Sequence, residues 1–390
     1  MKLKRVLAYA LASVMMLSFA GCAADTTENG STDTQGTDTA ATDSADKVFK
    51  VGGIGPLTGD AASYGNSVKN GAQIAIDEIN EAGGVAGYKF ELLFEDDECD
   101  EEKSINAYNK LMDQGVNAIL GCVTSGCCIA VVEEAQADGI LQITPSGSAQ
   151  DCTKYPNNFR ICFTDPLQGQ VMAQYIKDQG FTKPAVIYNV GDEYSKGIHD
   201  AFVVKAEELG MTIAADESFN TGDVDFKAQL TKIKSSDADC LFLPFYYTEV
   251  AYVTEQAPTV GVDLPYFGCD GWDGVIKQLN GDTTNIDGAT FLTPFVATSE
   301  KENVKSFVAK YEEQFGATPD QFAADGYDGV YAMKAALEKT AGDTSNEALI
   351  AAMTEIEVDG LTGHMTFDEN GEPQKEAVVA TIKDGQYIAE

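Results

Sequence analysis

The chain reads as an α/β protein of two doubly wound lobes with parallel-type sheets. Three observations predict this. From residue 48 onward short apolar runs alternate with amphipathic stretches of helical length, the pattern of strands joined by crossover helices. The alternation breaks near residue 165 and starts again, and residues 47–390 are enough for two ordinary domains. Late helices after residue 300 then read as chain returning to complete both lobes.

Val48–Ile54 is an apolar strand ending on Gly-Pro. Tyr64–Ala82 is a helix whose stripe of Val68, Ala72, Ala75, Ile76 and Ile79 repeats at three- and four-residue spacing. Gly83-Gly84 stops it. Phe90–Phe94 is a strand, Lys103–Gln114 a helix, Ala118–Val123 a strand and Cys127–Asp138 a helix. Ile140–Thr144 and Phe159–Phe163 are strands on either side of a Pro/Asn-containing loop. The second run reads helix Leu167–Gln179, strand Ala185–Val190, helix Lys196–Leu209, strand Thr212–Phe219 and helix Asp225–Ser235. Strand Cys240–Phe245, helix Thr248–Gln256 and strand Tyr266–Cys269 follow. Asn303–Phe315, Phe322–Lys339 and Glu347–Ile356 are helices, with strand-like segments after them. The lobes are therefore expected to be discontinuous, 47–164 plus 296–372 and 165–295 plus 373–390, with three hinge crossovers.

The N-terminus has a different composition. Met1-Lys-Leu-Lys-Arg5 is basic, Val6–Ala20 carries no charge, and Phe19-Ala20-Gly21-Cys22 closes the segment. The apolar run is short of the ~20 residues that span a bilayer and has the length of a secretory core. Its end resembles the lipobox of bacterial lipoproteins, with Phe19 where leucine is usual. The resemblance implies a signal peptide over 1–22, lipidation of Cys22 and attachment to the outer face of the cell membrane through that lipid alone. Residues 23–46 are almost all Thr, Ser, Asp, Ala and Gly, with six acids and no base. Such a segment buries too little apolar surface to offset its chain entropy and is expected to be a disordered spacer.

Sixty-two acidic residues against 26 basic ones give a net charge of −36, which excludes nucleic acid and anionic membrane surfaces as partners. Nine cysteines with only two histidines and no CxxC spacing argue for disulfides over a metal cluster. Cys152 and Cys162 flank a Pro-Asn-Asn turn that a disulfide would close. Cys240 and Cys269 lie in apolar runs as buried thiols. No metal, cofactor or catalytic set is expected, because neither His199 nor His364 falls in a strand-end loop.

Ligands of open parallel sheets bind where strands run into helices. Gly53-Ile-Gly55-Pro-Leu-Thr-Gly59 has the wrong spacing for a dinucleotide loop and reads as a turn that positions Tyr64. Gly121-Cys-Val-Thr-Ser125-Gly126 opens a helix, so hydroxyl and amide groups face one point backed by the positive end of the helix dipole. Thr144-Pro-Ser146-Gly147-Ser148 repeats that chemistry at the next strand. Phe245-Tyr246-Tyr247, Gly191-Asp-Glu-Tyr194 and Gly268-Cys-Asp270-Gly-Trp272 hold the equivalent places in the second run. One block offers sockets for an anion and the other a carboxylate among aromatic rings, a match for a zwitterion. Asp96-Asp97-Glu98 reads as a solvated strand end rather than a cation site.

These residues together resemble the branched-chain amino-acid (leucine/isoleucine/valine) binding proteins of ABC importers. The resemblance rests on Ile54-Gly-Pro-Leu-Thr-Gly59, Tyr64-Gly65, Gly71-Ala72, Ile79-Asn80 through Gly87, Glu95-Asp96-Asp97, Gly121 with Ser125, Thr144-Pro145, Phe159-Arg160, Phe245-Tyr246 and Asp325-Gly-Tyr327-Asp328-Gly. It implies the periplasmic-binding-protein type I fold and a monomer that delivers an apolar L-amino acid to the membrane subunits of an ABC permease. It places Ser125 and Ser148, with the backbone at Ser146 and Gly147, on the ligand carboxylate, and Asp270 on the ammonium. Tyr64, Tyr194 and Tyr246 surround the ligand. Asp270 stands where glutamate is frequent, and Ser148 where threonine is. The resemblance also implies a disulfide in the region of Cys99, with no partner fixed. Alternatives are a same-fold receptor for an amide, an ω-amino acid or an aromatic acid, a sensory receptor that presents ligand to a signalling partner, and a secreted hydrolase, which the histidine shortage disfavours.

Overall fold

Residues 47–375 and 377–389 are described in a computed structural model. The expected leader ending at Cys22 and the 23–46 spacer lie outside the described residues.

The first sheet collects β1 (Lys47–Gly55), β2 (Tyr88–Asp96), β3 (Ala118–Leu120), β4 (Gln142–Thr144) and β5 (Asn158–Arg160). Its order is β2-β1-β3-β4-β5, all parallel. Helices α1 (Ala62–Glu81), α2 (Glu101–Asp113) and α3 (Ser125–Asp138) make the crossovers. The α1 stripe is buried as the periodicity requires, with Val68, Ala72 and Ala75 fully enclosed. Asp100 caps α2 by accepting from Lys103 N at 2.9 Å, and Gly139 ends α3 in the left-handed region at φ 65°.

The second sheet is built from β6 (Pro184–Asn189), β7 (Ala215–Phe219), β8 (Cys240–Leu243), β9 (Tyr266–Gly268) and β10 (Thr290–Thr293). The helices between are α4 (Asp165–Asp178), which precedes β6, then α5 (Glu193–Glu208), α6 (Lys227–Ser235), α7 (Tyr247–Val260) and the single turn α8 (Val275–Gln278). The chain then leaves for α9 (Glu302–Phe315), α10 (Gln321–Lys339), α11 (Asn346–Met353) and the hairpin β11 (Glu357–Gly360)–β12 (Gly363–Thr366). It returns as β13 (Val378–Lys383) and β14 (Gln386–Ala389). The seven-stranded order is β14-β13-β10-β9-β8-β6-β7, parallel except for β13 and β14, each antiparallel to the strand before it in the sheet. Helix α7 runs on past Pro258 to Val260, beyond the expected stop at Gln256, and ends at Gly261, which is left-handed at φ 78° and donates its N–H to Ala257 O and Pro258 O.

Helix α10 packs along α1 and reaches β3, so the late helices cover the first sheet. The approach is close: a methyl on Gly71 of α1 would lie 1.8 Å from the Ala323 carbonyl oxygen of α10. The chain thus passes between the sheets three times, after β5, after β10 and before β13. Two of these passages are tied together. Arg160 Nε lies 2.9 Å from Glu372 Oε2, and Lys375 Nζ donates to Ile161 O at 2.6 Å.

The eight cysteines of the described residues are all free thiols, which corrects the expected Cys152–Cys162 bridge. Strand β5 separates the two. The Cys152 sulfur points back to α3, 3.7 Å from Ser125 O, while Cys162 is buried at the crossover beyond Arg160. Cys99 Sγ lies 3.6 Å from Thr124 Oγ1. Cys240 and Cys269 are buried thiols, as their apolar surroundings suggested.

Candidate functional site

In the first sheet the strand order reverses at β1, whose neighbours are β2 and β3; in the second it reverses at β6, between β7 and β8. The crevices at these switch points are where an open α/β sheet binds ligands. The loops after β1, β3 and β6 lead into Tyr64, Ser125 and Tyr194 in the first turns of α1, α3 and α5, and the loop after β8 ends on Tyr246, the cap of α7.

On the first lobe Ser125 is the first residue of α3, two residues earlier than the periodicity suggested, because the extended Thr124 acts as its cap position. Its hydroxyl accepts from Ser148 N and Ala149 N, both at 3.2 Å, and so joins the two hydroxyl loops. Ser146 Oγ donates to Val123 O at 2.6 Å, and Gly147 N donates to Thr144 Oγ1 at 2.7 Å. The fully buried Arg160 supports this loop from below, donating to Gly147 O, Ala149 O and Thr153 Oγ1, each at 3.0 Å. Ser148 Oγ is buried and meets no hydrogen-bond partner.

On the second lobe Asp270 opens a short 3₁₀ turn, Asp270–Trp272, held by Trp272 Nε1 donating to Leu243 O at 2.8 Å. Tyr194 OH donates to Asp270 Oδ1 at 2.7 Å and accepts from Gly271 N at 2.9 Å. The Tyr246 ring stacks on Tyr194 at 4.9 Å. A side chain at residue 271 would collide with both rings, since a methyl there lies 2.8 Å from Tyr194 OH and 3.0 Å from the Tyr246 ring. Tyr64 crosses from the first lobe and donates to Gly271 O at 2.5 Å. Thr248 Oγ1 to Asp60 O at 3.0 Å is a second contact across the cleft. All three tyrosines and Asp270 therefore meet around Gly271.

The serine and carboxylate halves are linked by two residues that the sequence reading passed over. Asp165, the first residue of α4, donates its N–H to Ser148 O at 3.0 Å. Gln168, one turn on, accepts Asp270 N at 3.1 Å through its side-chain oxygen. Both Asp165 carboxylate oxygens and Gln168 Nε2 are buried without a hydrogen-bond partner. In sequence Thr164-Asp165-Pro166 reads as an ordinary helix start. The Thr164 hydroxyl does cap Leu167 N at 3.3 Å, so nothing in the pattern singled Asp165 out.

The electrostatics follow from burial. Desolvation pushes the Asp270 carboxyl up to about 6, against the opposing hydrogen bond of Tyr194. Asp165 is pushed well above the carboxylate range by burial and by the charge of Asp270. Burial likewise raises Tyr64, Tyr194 and Tyr246, so their hydroxyls stay neutral. No ion pair joins Asp165 or Asp270 to a basic residue among the described contacts. The site therefore holds two buried acids, Asp165 and Asp270, with no basic partner, in the same cleft as the Ser125 and Ser148 hydroxyls.

Two other readings are settled by geometry. Asp96 is not a solvated strand end: it accepts from Leu57 N at 2.8 Å and from Thr58 Oγ1 at 2.7 Å, clamping the loop that leads to Tyr64. Asp97 is fully buried and pushed up to about 6 by desolvation. Among the described residues no cluster of three metal-ligating side chains occurs, and no helix is long and apolar enough to cross a membrane.

The same architecture is found in known proteins. A Leu/Ile/Val-binding protein of Rhizobium johnstonii is 32% identical over 325 residues, 83% of this chain and 88% of the relative. A leucine-, isoleucine-, valine-, threonine- and alanine-binding protein of Pseudomonas aeruginosa is 30% identical over 329 residues, covering 83% and 87%. The branched-chain amino acid transporter substrate-binding protein of Streptococcus pneumoniae, solved with isoleucine, superposes with a TM-score of 0.81 at 31% identity, over 88% of this chain and 99% of that one. Two lobes with switch-point crevices facing each other, and a match to the periplasmic binding protein family over residues 48–386, place the chain in that family.

Proposed function

We propose that this protein captures an apolar L-α-amino acid of the branched-chain type between its lobes and hands it to an ABC importer, without chemical change. Its relatives are amino-acid binding proteins by name, and the isoleucine in the pneumococcal structure is the ligand class this reading extends to the present chain. The observation that carries it is the pairing of Asp270 and Asp165, unneutralised, with the hydroxyl loops at Ser125 and Ser148. Ser125 and Ser148, with the backbone at Ser146 and Gly147, take the ligand carboxylate. Asp270, assisted by Asp165, takes the ammonium. Tyr64, Tyr194 and Tyr246 wall off the remainder. An aromatic acid brings no ammonium to meet the Asp270 carboxylate, which disfavours that alternative.

In the same reading the protein works as a monomer outside the cytoplasm, tethered through lipidated Cys22 and the 23–46 spacer. Its lobes are 47–164 with 296–372 and 165–295 with 373–390, and they close as units. A thermal-shift screen of the twenty amino acids, followed by calorimetry of leucine against 4-methylpentanoate, tests the proposal. Leucine or a close homologue should bind and the des-amino acid should not. Binding of 4-methylpentanoate as tight as that of leucine would sink the reading.

A further inference from the structure

Two thiols lie directly beneath the hydroxyl loops. Cys128 sits in the first turn of α3 and Cys152 in the 3₁₀ turn Gln150–Thr153, and both are fully enclosed. They converge on one point under the loop: a methyl on Gly147 would lie 3.1 Å from Cys128 Cβ and 3.1 Å from Cys152 Sγ. Cys128 Sγ is 4.0 Å from Cys152 O, and Cys152 Sγ is 3.7 Å from Ser125 O.

We infer that Cys128 and Cys152 are an oxidisable pair whose disulfide ties the start of α3 to the segment after Ser148. While the chain is still open, one thiolate of the pair, written here as Cys128, attacks a sulfur of an external protein or small-molecule disulfide, forming a mixed disulfide and releasing one thiolate of that carrier. Cys152 loses its proton and attacks the Cys128 sulfur, expelling the second carrier thiolate. Two S–H bonds are lost, one S–S bond forms, and the carrier gains two electrons and two protons. Because both sulfurs are enclosed in the folded protein, the exchange belongs to folding. The bridge fixes the socket rather than switching it: the Ser148–Ala149 amides lie inside the loop it closes, and Ser125, which accepts from both, stands three residues before Cys128.

The test refolds the full chain from its reduced, unfolded state in glutathione disulfide, blocks remaining thiols by alkylation and maps peptides without reduction. No lysine or arginine lies between residues 111 and 153, so trypsin leaves both cysteines on one peptide, whereas cleavage after Glu133 or Glu134 separates them. The expected result is a linked pair carrying Cys152 and the Cys127-Cys128 peptide, about 2 Da lighter than the two thiol peptides together. Cys127→Ser keeps the link and Cys128→Ser abolishes it. Alkylation of both cysteines, a link that survives Cys128→Ser, or Cys152 joined elsewhere overturns the inference. Should Cys128→Ser not refold, fragmentation of the parent's linked peptides assigns the sulfur and decides the matter alone.

Discussion

On the proposed reading Asp270 and Ser125 bear on opposite ends of the zwitterion, and the number of partners each end retains ranks their mutants. Asp270→Ala leaves the ammonium with Asp165 and takes a partner from Tyr194 OH. Truncating one member of a desolvated charge pair costs about 2–5 kcal/mol, a loss of tens to thousands in affinity. Ser125→Ala leaves the first-turn amides of α3 in place and should cost about 1.5–3 kcal/mol. Calorimetry with leucine measures both, and equal binding by parent and Asp270→Ala would remove the zwitterion clamp. The ionisation of Asp270 sets a pH dependence as well. An ammonium pairs with the carboxylate form, so affinity should be full above about 6 and fall as pH drops through it, by at most about tenfold per unit for this group. At this scale the sequence showed the residues at strand ends, because strand-to-helix loops are legible from pattern alone. Asp165 and Gln168 escaped because their importance lies in being buried without a partner, a property no sequence position displays.

Among the elements, α1 and α10 meet where only glycine fits. Gly71→Ala drives a methyl into the Ala323 carbonyl, and backbone on both sides leaves no rotamer that relieves it. The two helices must part, and we expect a loss of about 1–3 kcal/mol, read as a lower midpoint in chemical denaturation with ligand affinity near parental. Most strands and helices were legible, since the stripe of α1 and the Gly stops of α1 and α5 are local signals. The misplaced ends had local causes too: α3 begins at Ser125 because Thr124 is extended, and α7 outlasts Pro258 because the left-handed Gly261 closes it, its N–H on Ala257 O and Pro258 O. The Cys152–Cys162 pairing failed for a non-local reason. Sequence proximity across a turn says nothing of the direction in which each sulfur points, and β5 turns them apart.

For the whole molecule, buried acids dominate the response to pH. Burial raises Asp97, Asp192, Asp270 and Asp320 to about 6 and Glu249 to about 7. Raised folded values mean that the native state binds more protons than the unfolded chain between about pH 4 and 7, so their contribution to stability is present below that window and lost on rising through it. Glu78 and Asp96 are shifted down by their hydrogen bonds and act oppositely, below the same window. The net charge of −36 adds repulsion as pH rises. The ligand-free protein should therefore melt at a higher temperature at pH 5 than at pH 7.5, while ligand affinity moves the other way. Scanning calorimetry across that range checks it, and a flat or rising profile would show the acids to be compensated. Overall architecture was readable from alternation and chain length. The exchange of late helices and final strands between the sheets was only suggested, since pairing partners far apart in sequence leave no periodic trace.

That late return of β13 and β14 has a consequence for how the chain is made. Strand β10 finishes its parallel side with β9 early, but its other edge has no neighbour until α9, α10, α11 and the β11–β12 hairpin have been synthesised. An unfinished edge keeps the second sheet from reaching full cooperativity while the C-terminus is still on the ribosome. A nascent chain in that condition remains loose, and the second sheet closes its edge only once β13 and β14 have emerged.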